Sequence, residues 1–495
     1  MLAQLLKTKP IEPAGHIDAA EPFEGSLEGE ANLRRTLTGT QLIMLGIGAV
    51  IGAGIFVITG QAAAEHAGPA IMLSFVLAGI ACAFAGLCYA EFAAMLPVSG
   101  SAYSYSYATL GEGVAWLIGW CLVLEYLFAS SAVAVGWSGY FNSLLGNFGL
   151  ALPDELASAP ITIKDGSIVY TGGLLNLPAV AIIIAVSIVG YFGITQSAFV
   201  NSIIVFVKVA VILAFIGFGM QYVDPANWSP FIPEKVVEAD GSSKFGLEGV
   251  TRAAAMVFFA YIGFDAVSTA AGEAKNPQRD MPIGILGSLV ICTVLYIAVC
   301  AVLTGMLPYP QLGTAEPVST ALQAYPDLRW LQIFVEIAAV AGLGSVILVM
   351  LMAQPRIFYT MARDGLMPRL FGKVHPRHRT PYLGTVVVCI LAGLLAGLLP
   401  IGLLGEMVSM GTLLAFATVC AGVLVLRYTR PDMPRPFRVP LVQLISPLGV
   451  VACMYLFLQP FMEHWMLFLG WIAIGTLIYL LYGFRHSKLR TQAQG

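Results

Sequence analysis

Long apolar runs separated by short polar clusters set the pattern of this chain. Runs long enough to cross a hydrocarbon core of roughly 30 Å as a helix are expected at about 40–63, 68–97, 113–144, 174–193, 198–222, 248–272, 281–306, 328–354, 381–400, 402–427, 440–460 and 464–484. None alternates with the two-residue period of a barrel strand, and in lipid only helices and closed barrels satisfy the backbone. The pattern predicts an all-α polytopic membrane protein with about twelve transmembrane helices. The third run is long, which implies tilt rather than two crossings. The stretch 381–426 is interrupted only by Pro400 and Glu406 and reads as two helices joined by a tight turn.

Composition agrees. Only 11% of the 495 residues are charged and 58% are hydrophobic, whereas soluble domains carry roughly 25% charged residues. The net charge of −3 excludes nucleic acid as an expected partner. All eight cysteines fall within apolar runs and none forms a C-x-x-C pair, so they read as small packing residues rather than a disulfide framework or zinc site. Residues 1–30 are polar and lack an apolar signal core, so no cleaved leader is expected and the first span starts near Leu42.

An even number of spans puts both termini on one side. Lys7, Lys9, Arg34, Arg35, Lys275, Arg279, the basic stretch 356–379, Arg427, Arg430, Arg435, Arg438 and Arg485 all fall on that side, against Lys164, Lys235, Lys244, Arg252 and Arg329 on the other. The asymmetry predicts cytoplasmic termini in a cell-membrane protein. The basic stretch 356–379 is explained by topology first and by lipid headgroup contact second. The expected organisation is a cytoplasmic tail (1–35), spans one to five (36–222), spans six to ten (247–427), two further spans (428–485) and a short cytoplasmic tail (486–495). A monomer is the expected state, with room left for a small accessory subunit.

Candidate chemistry sits where the apolar pattern is broken. The first span carries Gly46, Gly48, Gly52 and Gly54 in LGIGAVIGAGIF. Such glycines either let helices pack closely or open the helix, and open backbone at membrane depth is tolerated only in a cavity or buried in protein. In the sixth span, 258–265 interrupts an apolar run with Tyr261, Gly263 and Asp265. Asp265 at depth is costly, by roughly 2.5–3.5 kcal/mol on insertion scales. It either caps a helix restarting at Ala266 or contacts ligand. Interrupted helices in matching places of two five-span halves point to a transporter site. Amides at the restart near Gly54 suit a carboxylate, freed carbonyls suit an ammonium, and Phe258, Phe259 and Tyr261 are placed to close over an α-amino acid.

Lys208 lies near the middle of span five, too deep to snorkel. It either exchanges a proton or makes a permanent ion pair. Glu91, Glu125 and Glu336 are further buried acids, each a candidate relay or a hydrogen-bonded strut. The tyrosines in 99–107 (SGSAYSYSY) are expected to form an interface belt.

Four ordered motifs, TGTQLIMLGIGAVIGAGIFVITG, YAEFAAMLPVSGSAYSYSYATLGE, FFAYIGFDAVSTAAGEAKNPQRDMP and RIFYTMARDGLMP, resemble the amino acid–polyamine–organocation superfamily. More narrowly they are similar to its bacterial cationic amino acid transporters. The resemblance covers about 33–438. It implies a leucine-transporter-like 5+5 inverted repeat plus two C-terminal helices, and alternating access usually driven by protons. It implies substrate contact at Val50, Ile51, Gly52, Ala53, Gly54, Phe259, Ala260, Tyr261 and Ile262, with backbone amides of 52–54 on the carboxylate and carbonyls of Val50, Phe259, Ala260 and Ile262 on the amine. Phe259 resembles the gate over the substrate. Lys208 matches a lysine standing where sodium-coupled relatives hold an ion, and Glu125 matches an acidic position in the third span.

The expected function is a proton-coupled importer of L-amino acids, with the proton as coupling ion and no cofactor. An exchanger is the runner-up and a non-transporting amino acid receptor the alternative of another class. No zinc-protease motif, nucleophile elbow or Walker loop is present, so an enzyme or an ATP-driven pump is not expected.

Overall fold

The computed structural model describes residues 5, 7–9, 37–96, 101–164, 167–192, 198–237, 243–270, 274–376, 378 and 380–491. Most of the 1–35 tail, and Arg34, Arg35, Arg377 and Arg379, lie outside the described residues.

The long elements are helices: α1 (Gly39–Val50), α2 (Ile71–Met95), α3 (Ser101–Thr109), α4 (Glu112–Gly146), α5 (Leu177–Tyr191), α6 (Ala198–Gly219), α7 (Gly246–Val257), α8 (Pro277–Met306), α9 (Pro317–Gln323), α10 (Arg329–Arg363), α11 (Tyr382–Leu398), α12 (Ile401–Thr429) and α13 (Val442–Ile478). Among the described residues, seven helical stretches are long and apolar enough to cross a membrane, with shorter apolar helices at Gly39–Val50, Leu177–Tyr191 and Tyr382–Leu398. The protein is therefore an all-α polytopic membrane protein. Two short antiparallel hairpins, Ile161–Lys164 with Ser167–Tyr170 and Val236–Val237 with Ser243–Lys244, lie in the loops.

Turn chemistry marks several boundaries. Thr38 caps α1 in a capping box with Gln41. Leu399 and Pro400 separate α11 from α12, as the proline in the sequence requires. The third run is one helix of 35 residues. The last two runs meet at a bend where His464 leaves helical geometry (φ −114, ψ 23).

Burial is uneven in the way a membrane requires. The most apolar window of α4 is 94% buried, so it is the central pillar, while that of Val442–His486 is only 22% buried and presents its side chains outward. Lipid supplies no hydrophobic drive between helices, so small residues set the close contacts. A Cβ on Gly46 would sit 2.5 Å from Ser288 Oγ, and one on Gly284 would sit 2.6 Å from Leu42 Cβ. Gly46 therefore serves the packing of α1 on α8.

Buried acids act as struts. Glu91 accepts from Arg427 Nε (3.0 Å) and Nη2 (2.6 Å) and from the Val439 N–H (2.7 Å). Glu336 accepts from Ser143, Ser319, Gln332 and Asn147 at 2.6–2.9 Å, tying α4, α9 and α10 together. One expectation fails. Tyr103, Tyr105 and Tyr107 are at most 2% exposed. They lie on α3, an extra helix between α2 and α4, and pack inward: Tyr105 stacks on Phe92 at 4.8 Å. Tyr103 donates to Asp364 and Tyr107 to Glu112. No interface belt forms there, because the Tyr103 and Tyr107 hydroxyls find carboxylates inside the protein and the Tyr105 ring packs among Phe92 and Tyr89.

Candidate substrate and coupling site

Two helices are open at the centre of the protein. After α1, Ile51 adopts an extended conformation (φ −72, ψ 94), and helical structure resumes at Gly54 and runs on through Ala67. After α7, a 3-10 turn over Phe258–Tyr261 ends at Ile262 (φ −60, ψ 132), and a short helix restarts at Ala266. Gly263 takes φ +118, a left-handed conformation that favours glycine. The two openings abut. A Cβ on Gly54 would meet Ala260 Cα at 2.3 Å, and one on Gly263 would meet the Ala49 carbonyl carbon at 2.8 Å. No other residue type fits at either contact.

Opening the helices frees backbone groups. The carbonyls of Gly48, Val50 and Ile51 have their helical partners beyond the break, and the first amides of the resumed helix have none. The structure shows what the carbonyls meet. Lys208 Nζ donates to Gly48 O (3.2 Å) and Ile51 O (2.9 Å). The lysine is 1% exposed, and among the described residues it has no carboxylate ion-pair partner. The permanent ion pair allowed by the sequence is therefore not what holds it; carbonyl oxygens are. Tyr296 of α8 places its hydroxyl 2.9 Å from Val50 O and 2.8 Å from Ala260 O. One hydroxyl proton serves one carbonyl at a time, so Tyr296 bridges the two breaks.

The sequence-derived site residues fall as follows. Val50, Ile51, Gly52, Ala53, Gly54, Phe259, Ala260, Tyr261 and Ile262 lie at the paired breaks and are buried. Gly52 faces Val346 of α10, and Phe259 lies against Gly405 of α12. Phe259 O accepts from the Ile262 N–H at 3.2 Å. Tyr261 turns away from a lid position: its hydroxyl donates to Phe75 O at 2.9 Å, and its ring packs on Phe75 and Tyr296. Phe258 packs on Phe416. Asp265 Oδ1 accepts from the Gly263 N–H at 3.2 Å, holding the turn. Glu125 on α4 is 1% exposed, and neither carboxyl oxygen has a hydrogen-bond partner of good geometry among the described residues. Asp265 and Thr412 are its polar neighbours. Above the first break, Tyr140 of α4 donates to Phe56 O at 2.6 Å. Away from the paired breaks, a cavity of about 740 Å³ opens among Asn142, Asp154, Glu316, Gln323 and Arg329.

Residues 37–482 match the family described as amino acid permease. The chain belongs to the amino acid permease family. The permease is 48% identical over 488 residues to the methylthioribose transporter of Bacillus subtilis (strain 168), covering 99% of this chain and all of that protein. It is 47% identical over 462 residues to the branched-chain amino acid permease BcaP of the same organism, covering 93% of this chain and 96% of the relative. It is 36% identical over 421 residues to human cationic amino acid transporter 4, covering 84% of this chain and 64% of that one. This membership in the amino acid–polyamine–organocation superfamily makes the permease a membrane transporter of amino acids or related organic solutes, and not an enzyme.

Tyr296, Tyr140 and the carbonyl partners of Lys208 were not singled out from sequence. The available signal was general: a hydroxyl inside an apolar helix must find an acceptor nearby.

Proposed function

We propose that the permease takes up neutral aliphatic L-amino acids by alternating access, coupled to protons through Lys208. The observation that carries this reading is the contact between Lys208 and the carbonyls of Gly48 and Ile51 at the first break. Loss of the lysine proton removes the positive charge and one of three N–H donors, weakening both contacts to that break, so the charge on Lys208 and the shape of the substrate site change together. On this reading the helices make twelve crossings, arranged as a 5+5 inverted repeat plus two helices, and the distribution of Lys and Arg along the sequence supports cytoplasmic termini. The amides of 52–54 suit the substrate carboxylate, and the Val50 and Ala260 carbonyls suit its ammonium once Tyr296 gives way. Val346, Phe259, Val57 and Ile401 line the surroundings with apolar groups, which favours an aliphatic side chain over a cationic one. The branched-chain relative supports that choice.

A second reading has its own observation. A relative 48% identical over nearly the whole chain is named for methylthioribose, an uncharged thio-sugar. The test is uptake into liposomes holding purified permease, with an inward proton gradient and no internal substrate. Labelled leucine, alanine, arginine and methylthioribose are supplied separately. Accumulation of leucine or alanine supports the proposal. Accumulation of methylthioribose alone overturns the substrate assignment, and a requirement for internal amino acid replaces symport with exchange.

A further inference from the structure

A second cluster of chemistry-bearing side chains lies away from the paired breaks, where α7, the start of α12 and the bend of α13 meet. Glu406 stands early in α12, and Glu463 and His464 stand at the bend of α13. His464 Nε2 lies 2.6 Å from Glu406 Oε2, and the two side chains are 12% and 14% exposed. Glu463, 33% exposed at the mouth of the cluster, is in contact with Arg252 of α7. One donor atom from each of Glu406, Glu463 and His464 lies within 4.8 Å of the other two. His66, 7% exposed, stands within electrostatic reach of both Glu406 and Arg252, and its Nδ1 has no hydrogen-bond partner among the described residues.

One imidazole and two carboxylates are the donor set of a three-ligand zinc site that completes its shell with water. Calcium and magnesium prefer oxygen alone. Ligand bonds of roughly 2.0–2.2 Å place neighbouring donors of a tetrahedral ion about 3.3 Å apart. The donor spacings, from 2.6 Å between His464 and Glu406 to at most 4.8 Å across the cluster, bracket that separation. The guanidinium of Arg252 is the competing cation: it holds Glu463, and a divalent ion beside it meets like charge.

We propose that Glu406, Glu463 and His464 form a binding site for a zinc-type divalent metal ion, and that Arg252 and the ion compete for Glu463. The three ligands belong to α12 and α13, whereas Arg252 belongs to α7, the helix that runs into the opening at 258–265. Metal binding therefore unlatches α7 from this corner, and latching expels the metal.

The test is calorimetric titration of zinc chloride into the full-length, chelator-treated protein with its affinity tag removed. Wild-type protein is expected to bind one ion saturably. Glu406→Gln and His464→Gln each weaken binding at least tenfold, His464→Cys retains it because a metal-binding atom remains, and Arg252→Gln tightens it severalfold. Absence of saturable binding, equal binding by wild type and the Gln variants, or weaker binding by Arg252→Gln overturns the proposal. Thermal melts of each variant identify any that fail to fold. For those, the Cys and Arg252 variants carry the decision. Binding is read without transport, so this result stands apart from the substrate assignment.

Discussion

Gly342 of α10 faces Lys208, and a Cβ added there would lie 2.5 Å from Lys208 Cε, 3.1 Å from Cγ and 3.2 Å from Cδ. Ordinary carbon contacts begin at about 3.5 Å, so Gly342→Ala requires the lysine to retreat by about 1 Å. A lysine tip moves readily, but this one is tethered: its ammonium is held by Ile51 O at 2.9 Å and Gly48 O at 3.2 Å. A retreat of that size takes both contacts beyond hydrogen-bond length. Hydrogen bonds to charged groups contribute roughly 1.5–3 kcal/mol each, and about 1.4 kcal/mol is a factor of ten. Losing even one lowers the population of the docked, protonated lysine roughly ten- to hundredfold. Gradient-driven uptake in liposomes should fall by a similar factor. On a Lys208→Ala background, Gly342→Ala should cost nothing further, because the group it displaces is gone. Full gradient-driven uptake by Gly342→Ala, or an equal loss on both backgrounds, would refute the coupling role assigned to the lysine pose.

Three further outcomes follow from the geometry. Tyr296→Phe removes the hydroxyl that serves Val50 O and Ala260 O; stability should fall by roughly 0.5–1.5 kcal/mol and the KM for substrate should change, checked by thermal unfolding and initial uptake rates. Glu336→Ala leaves the Ser143, Ser319, Asn147 and Gln332 donors without their shared acceptor, and should lower stability by at least roughly 1–3 kcal/mol in detergent. Glu316, outside the spans, has its carboxyl pushed up to about 7, first by burial and then by Glu336 and Asp154. The folded form thus binds this proton more tightly than the unfolded chain. The stability it contributes is full below the ordinary carboxyl range near 4.5 and is lost as pH rises through about 7. Melts of wild type should fall between those limits, and Glu316→Gln should flatten that part of the profile.

The long helices were legible because each follows a long apolar run, and the break at Pro400 because proline cannot continue a helix. The two open helices were legible through Gly54 and Gly263, residues without a Cβ where another chain segment approaches. Which glycine packs and which opens the helix was not legible, since that depends on the neighbour: Gly46 meets Ser288, while Gly54 meets Ala260. The tyrosines of α3 misled for a related reason. A short polar-aromatic stretch looks the same whether its hydroxyls reach water or reach Asp364 and Glu112. Partners distant in sequence, such as Glu91 with Arg427 and Glu406 with His464, appear only when the helices are brought together.

The central claim is that Lys208 carries the coupling proton. It is tested most directly by adding leucine outside liposomes that hold the purified permease and a pH-sensitive dye, with no imposed gradient. The account expects the lumen to acidify as substrate enters, and expects Lys208→Ala liposomes to take up leucine down its gradient with no acidification. Substrate-driven acidification that persists in Lys208→Ala would contradict it.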